Sequence, residues 1–472
     1  MKTRIACRIT VGAVLASLLL AVRAHSQSAD ALINKLLQKG ILTEQEAQDL
    51  KKEASDTNLV SAAKWKLGDS IKNIGLYGDL RFRYEYRNAQ NADGSGVTGN
   101  SYQRERFRFA ARVGIRGDLF DDFYYGFRLE TSSNPRSPWV TFGDDTSSTP
   151  SAKTSDGINV GQVYVGWRPT SWYEMTVGKM PMPLYITPLV WDSDINPEGA
   201  VEKLKYSTTH ADFFASFGQF LYQDTNPDPA LPSSDTFLLA WQLGANVKLA
   251  EGISLKIAPV VYNYTGVGTS GGLNHSFTGE GFNGLNTNTA AAYNQSGVND
   301  LLVLEVPAEL NFKLGNYGVR VFGDFAYNFQ GDRRARAAEA ATSTGIAPLP
   351  QAFTGEDKAY QIGLGFGNLG LVYGQTSKRN TWEARAYWQH VEQYALDVNL
   401  LDSDFMEGRG NLQGFYSAFA YSITDGIIGT CRYGYAQRIN KQLGTGGNNP
   451  DLPILNPINN YHILQLDLTW RF

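Results

Sequence analysis

Cysteine is almost missing from this 472-residue chain: Cys7 and Cys431 are the only two. Cys7 falls in the leader described below, so a mature chain keeps Cys431 alone and no intramolecular disulfide framework is available. A small outward residue on a strand is the plain reading of that thiol. Long apolar runs are missing too. Beyond the first 24 residues nothing approaches the roughly 18 consecutive apolar residues that a membrane helix needs, which excludes a polytopic helical membrane protein. Positive charge is not in excess, with 42 Lys+Arg against 46 Asp+Glu. Without the leader's Lys2, Arg4, Arg8 and Arg23, 38 basic and 46 acidic residues remain, a balance that argues against nucleic acid as a partner. There is no Walker lysine motif and no Cys/His cluster; His210, His390 and His462 stand singly. No metal and no cofactor are expected, and the chain does not read as an enzyme.

Three short strings are the exceptions to weigh. Gly365-Phe366-Gly367-Asn368-Leu369-Gly370 has the spacing of a dinucleotide fingerprint but no βαβ context. Gly268-Thr269-Ser270-Gly271-Gly272, with His275 nearby, matches a nucleophile elbow but lies in a Gly/Asn/Ser-rich stretch instead of a strand-to-helix turn. Asp192-x-Asp194-x-Asn196 opens like an EF-hand loop, then has Pro197 where glycine is required and Lys203 where the closing glutamate belongs.

What is present is glycine and aromatic residues: Gly 48, Tyr 25, Phe 24 and Trp 9. Met1–Arg8 is basic, Val11–Val22 is apolar, and Val22-Arg23-Ala24 offers small residues for cleavage, so residues 1–24 read as a secretory signal peptide. Residues 25–73 read as a helical hairpin: Leu32, Ile33, Leu36 and Leu37 share a helical face, Gly40 suits a C′ position, and Thr43-Glu44-Gln45-Glu46 is a capping box. Its seven basic and seven acidic residues leave two readings open, a periplasmic or oligomerising element and a solvated spacer.

After Ile74 the period changes from 3.6 to 2. Ile74, Leu76, Leu80, Phe82, Tyr84 and Tyr86 alternate with Tyr77, Asp79, Arg81, Arg83, Glu85 and Arg87. Phe107, Phe109, Ala111, Val113 and Ile115 then alternate with Arg106, Arg108, Arg112 and Arg116. Alternate side chains of a strand point to opposite faces, so each segment has one apolar and one charged face. The pattern recurs near 123–130, 158–168, 172–180, 201–207, 211–220, 236–249, 252–264, 300–314, 317–329, 357–375, 380–391, 411–422, 426–438 and 460–472, about sixteen strands in all. The connections alternate in length. Short ones fall at 118–122, 169–171, 207–210, 250–251, 314–316, 376–379 and 423–425. Long ones fall at 88–102, 134–157, 181–200, 221–235, 265–299, 330–356, 392–410 and 439–459. That segregation predicts an all-β fold over 74–472, a closed antiparallel transmembrane β-barrel with turns at one end and loops at the other.

The last strand places Leu464, Leu466, Leu468, Trp470 and Phe472 on one face. A terminal Phe after alternating apolar residues resembles the C-terminal signal of Gram-negative outer-membrane barrels. The helical hairpin, the Ile74–Arg87 strand, the stretch VYVGWRPTSWYEMTVGKM (Val163–Met180) and Phe472 together resemble the bacterial "putative porin" family, itself similar to phosphate-selective porins and more distantly to general porins. The resemblance implies a homotrimeric diffusion channel for small hydrophilic or anionic solutes, embedded in outer-membrane lipid and inserted by the barrel-assembly machinery through Phe472. It also implies that the third external loop narrows the pore.

Parity places Arg81, Arg83, Arg87, Arg106, Arg108, Arg112, Arg116 and Arg128 on the inner face, because arginine at the bilayer midplane costs about 2–4 kcal/mol. These residues either draw anions as a cationic ladder or stiffen the wall through Asp79, Glu85 and Glu130. Glu305, Glu309, Asp324, Glu383 and Asp467 are the expected carboxylates of the opposite wall, giving a transverse field across the lumen. In the loop 181–200, Tyr185, Trp191, Asp192, Asp194 and Glu198 are the candidates for the constriction, its carboxylates facing the arginine wall. Other readings are a lid or oligomer contact for this loop. For the whole chain they are a plugged structural or adhesion barrel, or a barrel enzyme. A plugged TonB-type transporter is excluded by the short segment before Ile74.

Overall fold

The computed structural model describes residues 68, 70–91, 101–132, 137–143, 156–224, 235–265, 298–340, 353–368, 376–445 and 458–472. The leader and nearly all of the expected hairpin lie outside them. Sixteen strands follow one another around a single antiparallel sheet. The first eight are β1 (Gly75–Asn91), β2 (Ser101–Asp118), β3 (Phe123–Thr131, resumed at Val140–Thr141), β4 (Ile158–Thr170), β5 (Tyr173–Lys179), β6 (Glu198–Ser207), β7 (Ala211–Gln223) and β8 (Thr236–Ala250). The rest are β9 (Ile253–Ile257 and Val260–Thr265), β10 (Leu302–Glu305 and Ala308–Leu314), β11 (Tyr317–Asn328), β12 (Lys358–Asn368), β13 (Trp382–Val391), β14 (Leu412–Thr424), β15 (Ile427–Arg438) and β16 (Ile458–Arg471). β16 pairs back onto β1 from Asp79↔Arg471 upward, so the barrel is closed and, among the described residues, no strand lacks a partner on either side.

β9 and β10 are each interrupted, and proline is the reason. Pro259 and Pro307 lack an N–H for the ladder. Their carbonyls still accept, from Leu243 N at 3.0 Å and from Ala258 N at 3.0 Å, so each break is confined to one step. Glu251-Gly252, Gly315-Asn316 and Asp425-Gly426 make two-residue turns in which the glycine has φ of +71°, +58° and +86°. The long connections leave from the other end. One expected loop, 330–356, contains a helix, α1 (Gly331–Ala340), that the alternating pattern around it gave no reason to expect.

The outer face is apolar, with Leu76 65%, Leu243 62% and Ile362 61% exposed. Lipid is the medium that accepts such a surface on a strand. Near the turns it carries aromatic pairs such as Phe123–Trp167 and Phe366–Trp382, with ring centroids 6.1 and 5.5 Å apart, the girdle expected at a membrane interface. Cys431 is exposed on this face, opposite Phe419. The buried core lies inside the barrel. Leu184, Leu189, Val190 and Trp191 from the loop after β5 and Ala395, Leu396, Val398, Leu400 and Leu401 from the loop after β13 pack against Leu238, Val260, Tyr262 and Val303 of the wall.

Candidate pore lining

Two loops enter the lumen. The first, L3 (residues 180–197), touches β2, β4, β8 and β11. Asp194 accepts from Arg112 at 2.5 Å, Asn196 from Gln162 at 2.9 Å, the Tyr185 amide donates to Gln242 at 2.8 Å, and Thr187 donates to Asp324. Only a segment crossing the barrel reaches all four. The second, L7 (residues 392–411), runs from Asp397, which accepts from Tyr264 on β9 at 2.9 Å, to Asp404, which accepts from Arg83 on β1 at 2.6 Å. The loops are joined: Asp192 accepts from the Ser403 amide at 3.1 Å and its hydroxyl at 2.9 Å.

Most of the arginine column meets carboxylates. Arg83 binds Asp467 at 2.8 Å and stacks on Trp139 with 4.0 Å to the ring centroid. Arg87 binds Glu85 at 2.9 Å and Glu407 at 3.0 Å. Arg106 binds Glu85 at 2.5 Å, and Arg108 approaches the same carboxylate at 3.6 Å. Arg112 lies between Asp194 and Glu130, the second at 3.6 Å; Arg128 takes Glu130 at 2.9 Å and Arg81 takes Asp79 at 2.6 Å. Glu85 is wholly buried beneath this group. Arg116 differs, with its guanidinium 4.9 Å from the Tyr77 ring centroid. The arrangement is that of the stiffened wall, with L3 and L7 supplying carboxylates that the wall lacks.

Burial pushes the Asp192 carboxyl up to about 7, helped by the neighbouring Asp194 charge. Burial, with Asp192 beside it, also pushes Asp402 well above the carboxylate range. Burial would raise Asp404 as well, but the Arg83 and Arg432 guanidiniums hold it well below that range.

Two expected positions are corrected. Asp467 is not opposite the arginine wall; closure of the barrel sets β16 beside β1, and Asp467 pairs with Arg83 and Arg432. Glu198 does not face that wall, because L3 ends before it and β6 turns it outward, where it is exposed and pairs with Lys179 at 2.9 Å. The remaining carboxylates stand on other strands, Glu305 and Glu309 on β10, Asp324 on β11 and Glu383 on β13, four strands from β1. Glu305 accepts from Tyr262 at 2.7 Å, Glu309 pairs with Arg320, and Asp324 holds Thr187; Glu383 is buried on β13. Trp191 is buried, its indole donating to Ile195 O at 3.0 Å, which shapes the turn that presents Asp192 and Asp194.

The turn-side half of the lumen is built differently. At four places an aromatic ring lies across a glycine of a neighbouring strand: Tyr77 on Gly114, Tyr124 on Gly166, Tyr164 on Gly126 and Phe214 on Gly244. A Cβ at any of these glycines would overlap the ring. Cations rest on the rings, Arg168 3.8 Å from the Tyr124 centroid and Lys256 3.5 Å from that of Tyr185 in L3. Lys248 and Lys313 line an opening of about 520 Å³ with Asn246, Asn311, Arg320 and Glu383. Among the described residues, Lys203, Lys248, Lys256 and Lys313 form no ion pair.

The sequence matches the family described as "Putative porin" over residues 88–312 and 298–472. The chain belongs to that family. It is a porin, a water-filled β-barrel channel for passive diffusion of small hydrophilic solutes, and not an enzyme. No curated protein matches the sequence. The solved structures it is similar to include an anion-selective porin from Comamonas acidovorans, at 10% identity and a TM-score of 0.41, covering 85% of this chain and 99% of that one. They also include a multiply substituted Rh. blastica porin, at 10% identity and a TM-score of 0.38, covering 85% and 100%.

In this porin the residues that sequence reasoning passed over are Asp404 and Glu407 of L7 and the lysines of β6, β8, β9 and β10. The acidic run Asp397, Asp402, Asp404, Glu407 was the available signal for an inward loop. Gly365 and Gly367 lie in β12, inside a strand, as bent-wall glycines do.

Proposed function

We propose that this porin sits in the outer membrane of a Gram-negative bacterium as a homotrimer, reaches it through the leader at 1–24 and the assembly signal ending in Phe472, and prefers anions. The preference is carried by the turn-side lysines. The observation behind this reading is the contrast in pairing: nearly every ladder arginine has a carboxylate against it, whereas Lys248 and Lys313 stand exposed without an ion pair at an opening that Glu251 and Glu383 also line. A fixed charge that is already paired adds little to the potential felt by a passing ion, while an unpaired one in a narrow aqueous path acts at full strength. L3 and L7 set the narrowest section, with Asp192 and Asp194 fixed in it.

Reversal potentials in a KCl gradient across planar bilayers test this. The parent should favour Cl⁻. K248E/K313E should move the reversal potential toward the K⁺ limit, while R106A/R108A should move it less. The opposite ranking would return selectivity to the arginine ladder. A second reading, the plugged structural barrel, draws on the buried cluster that L3 and L7 form inside the lumen; folded barrels that pass no current would favour it.

A further inference from the structure

We propose that the cavity beneath L3, between β6, β7, β8 and β9, is a binding subsite for aromatic carboxylates. This rests on the porin reading and names a solute class for it. The cavity has a volume of about 420 Å³ and is lined by side chains of two kinds. Lys203 and Lys205 reach it from β6 and Lys256 from β9, three ammonium groups around one space. Phe214 and Tyr185 supply the ring surface, with Pro183 and Leu184 of L3 beside them.

Each wall is held in place by something other than a ligand. Gln242, itself buried, accepts from the Tyr185 amide at 2.8 Å and donates back to its carbonyl at 2.7 Å, which locks L3 and aims the tyrosine ring inward. Phe214 lies flat because Gly244 leaves it room. Lys256 rests 3.5 Å from the Tyr185 centroid and 5.6 Å from that of Phe214, a cation on two rings with no carboxylate bound to it. The nearby negative groups are Glu174, which Lys205 approaches at 3.6 Å and which Arg168 also takes at 3.2 Å, Asp212 at the rim, and Glu309, which belongs to Arg320. Positive charge is left over.

The chemistry of the occupant follows. An inorganic anion would leave the rings and Leu184 facing empty space. A neutral sugar would leave the Lys203 and Lys256 ammonium groups uncompensated in a partly desolvated pocket. A planar ring bearing a carboxylate satisfies both, stacking on Phe214 and Tyr185 while its charge sits among the lysines.

The test uses full-length refolded protein in planar bilayers, with block of KCl current by benzoate compared against acetate, cyclohexanecarboxylate and benzamide. Benzoate should half-block at a concentration about tenfold below each of the other three. That concentration should rise about tenfold in F214L and in K256M, and K203Q on the far wall should weaken benzoate without restoring parity with benzamide. Equal block by benzoate and acetate, or F214L, K256M and K203Q all matching the parent, overturns the proposal. Folded barrels that pass no KCl current would refute the porin reading instead. Calorimetric titration of benzoate into the same protein then decides the subsite: heat abolished in F214L and K256M supports it, and no heat overturns it.

Discussion

The loop-side and turn-side halves of this lumen use the same residue types to opposite ends. On the loop side, arginines of β1 and β2 are buried against carboxylates, several of them delivered by L3 and L7. On the turn side, Arg168 and Lys205 share Glu174 and Arg320 takes Glu309, but Lys256 lies on aromatic rings and, among the described residues, Lys203, Lys248 and Lys313 form no ion pair. The difference shows what an inward-pointing basic residue means in a barrel. Its role is decided by whether a loop folds down to meet it. Where loops bring carboxylates in, charge becomes architecture; where they do not, lysines are left without an ion pair.

The comparison breaks most decisively at Glu85. Its carboxylate serves Arg87, Arg106 and Arg108 and accepts from Gln465 at 3.0 Å, with no exposure to solvent. E85A leaves at least three buried guanidiniums short of a partner, a loss of about 3–5 kcal/mol by the usual cost of breaking a buried pair. Thermal unfolding followed by circular dichroism should show the drop, and an unchanged midpoint would mean that the loop-side half is not ion-pair architecture. A smaller effect concerns pH. The Asp192 carboxyl is raised to about 7 by burial and by Asp194. A raised carboxyl stabilises the fold in its protonated form, fully so below the ordinary carboxylate range and progressively less as pH rises through about 7. Asp402, raised by burial and by Asp192, acts in the same direction. The L3–L7 junction should therefore loosen above neutrality, seen as growing open-channel current noise between pH 5 and 9, and D192N should flatten the dependence. Smallest is G244A, which sharpens the turn-side half: the new methyl displaces the Phe214 ring, costing about 1 kcal/mol in stability. The midpoint should fall slightly and benzoate block should weaken.

How much of this was legible beforehand follows from range. Strand parity is a property of neighbouring residues, so the lipid-facing leucines and the inward arginines could be placed from Ile74 onward without knowing the fold. The partner of an arginine is not local. Arg83 and Asp404 are 321 positions apart, and nothing in the alternation around either announces the other. Parity alone sets Asp467 on the opposite arc for a related reason: chain order separates β16 from β1, and only closure makes them neighbours. Gly199 and Ala200 mask the start of β6, so from sequence Glu198 reads as part of a loop. The strand breaks at Pro259 and Pro307 were visible as residues, but that they would fall side by side depends on the register between β9 and β10.

The apolar cluster formed by L3, L7 and the inner wall has a consequence for how the molecule responds to its surroundings. It is a soluble-protein interior enclosed in a membrane protein, assembled because water in the lumen drives Leu189, Trp191, Leu396 and Leu400 together. The wall is held by a closed hydrogen-bond ladder in a medium that offers no competing donors. Urea weakens the first kind of order directly and reaches the second poorly. The filling should therefore melt out of the barrel at concentrations that leave the staves intact, so that the channel widens before it unfolds.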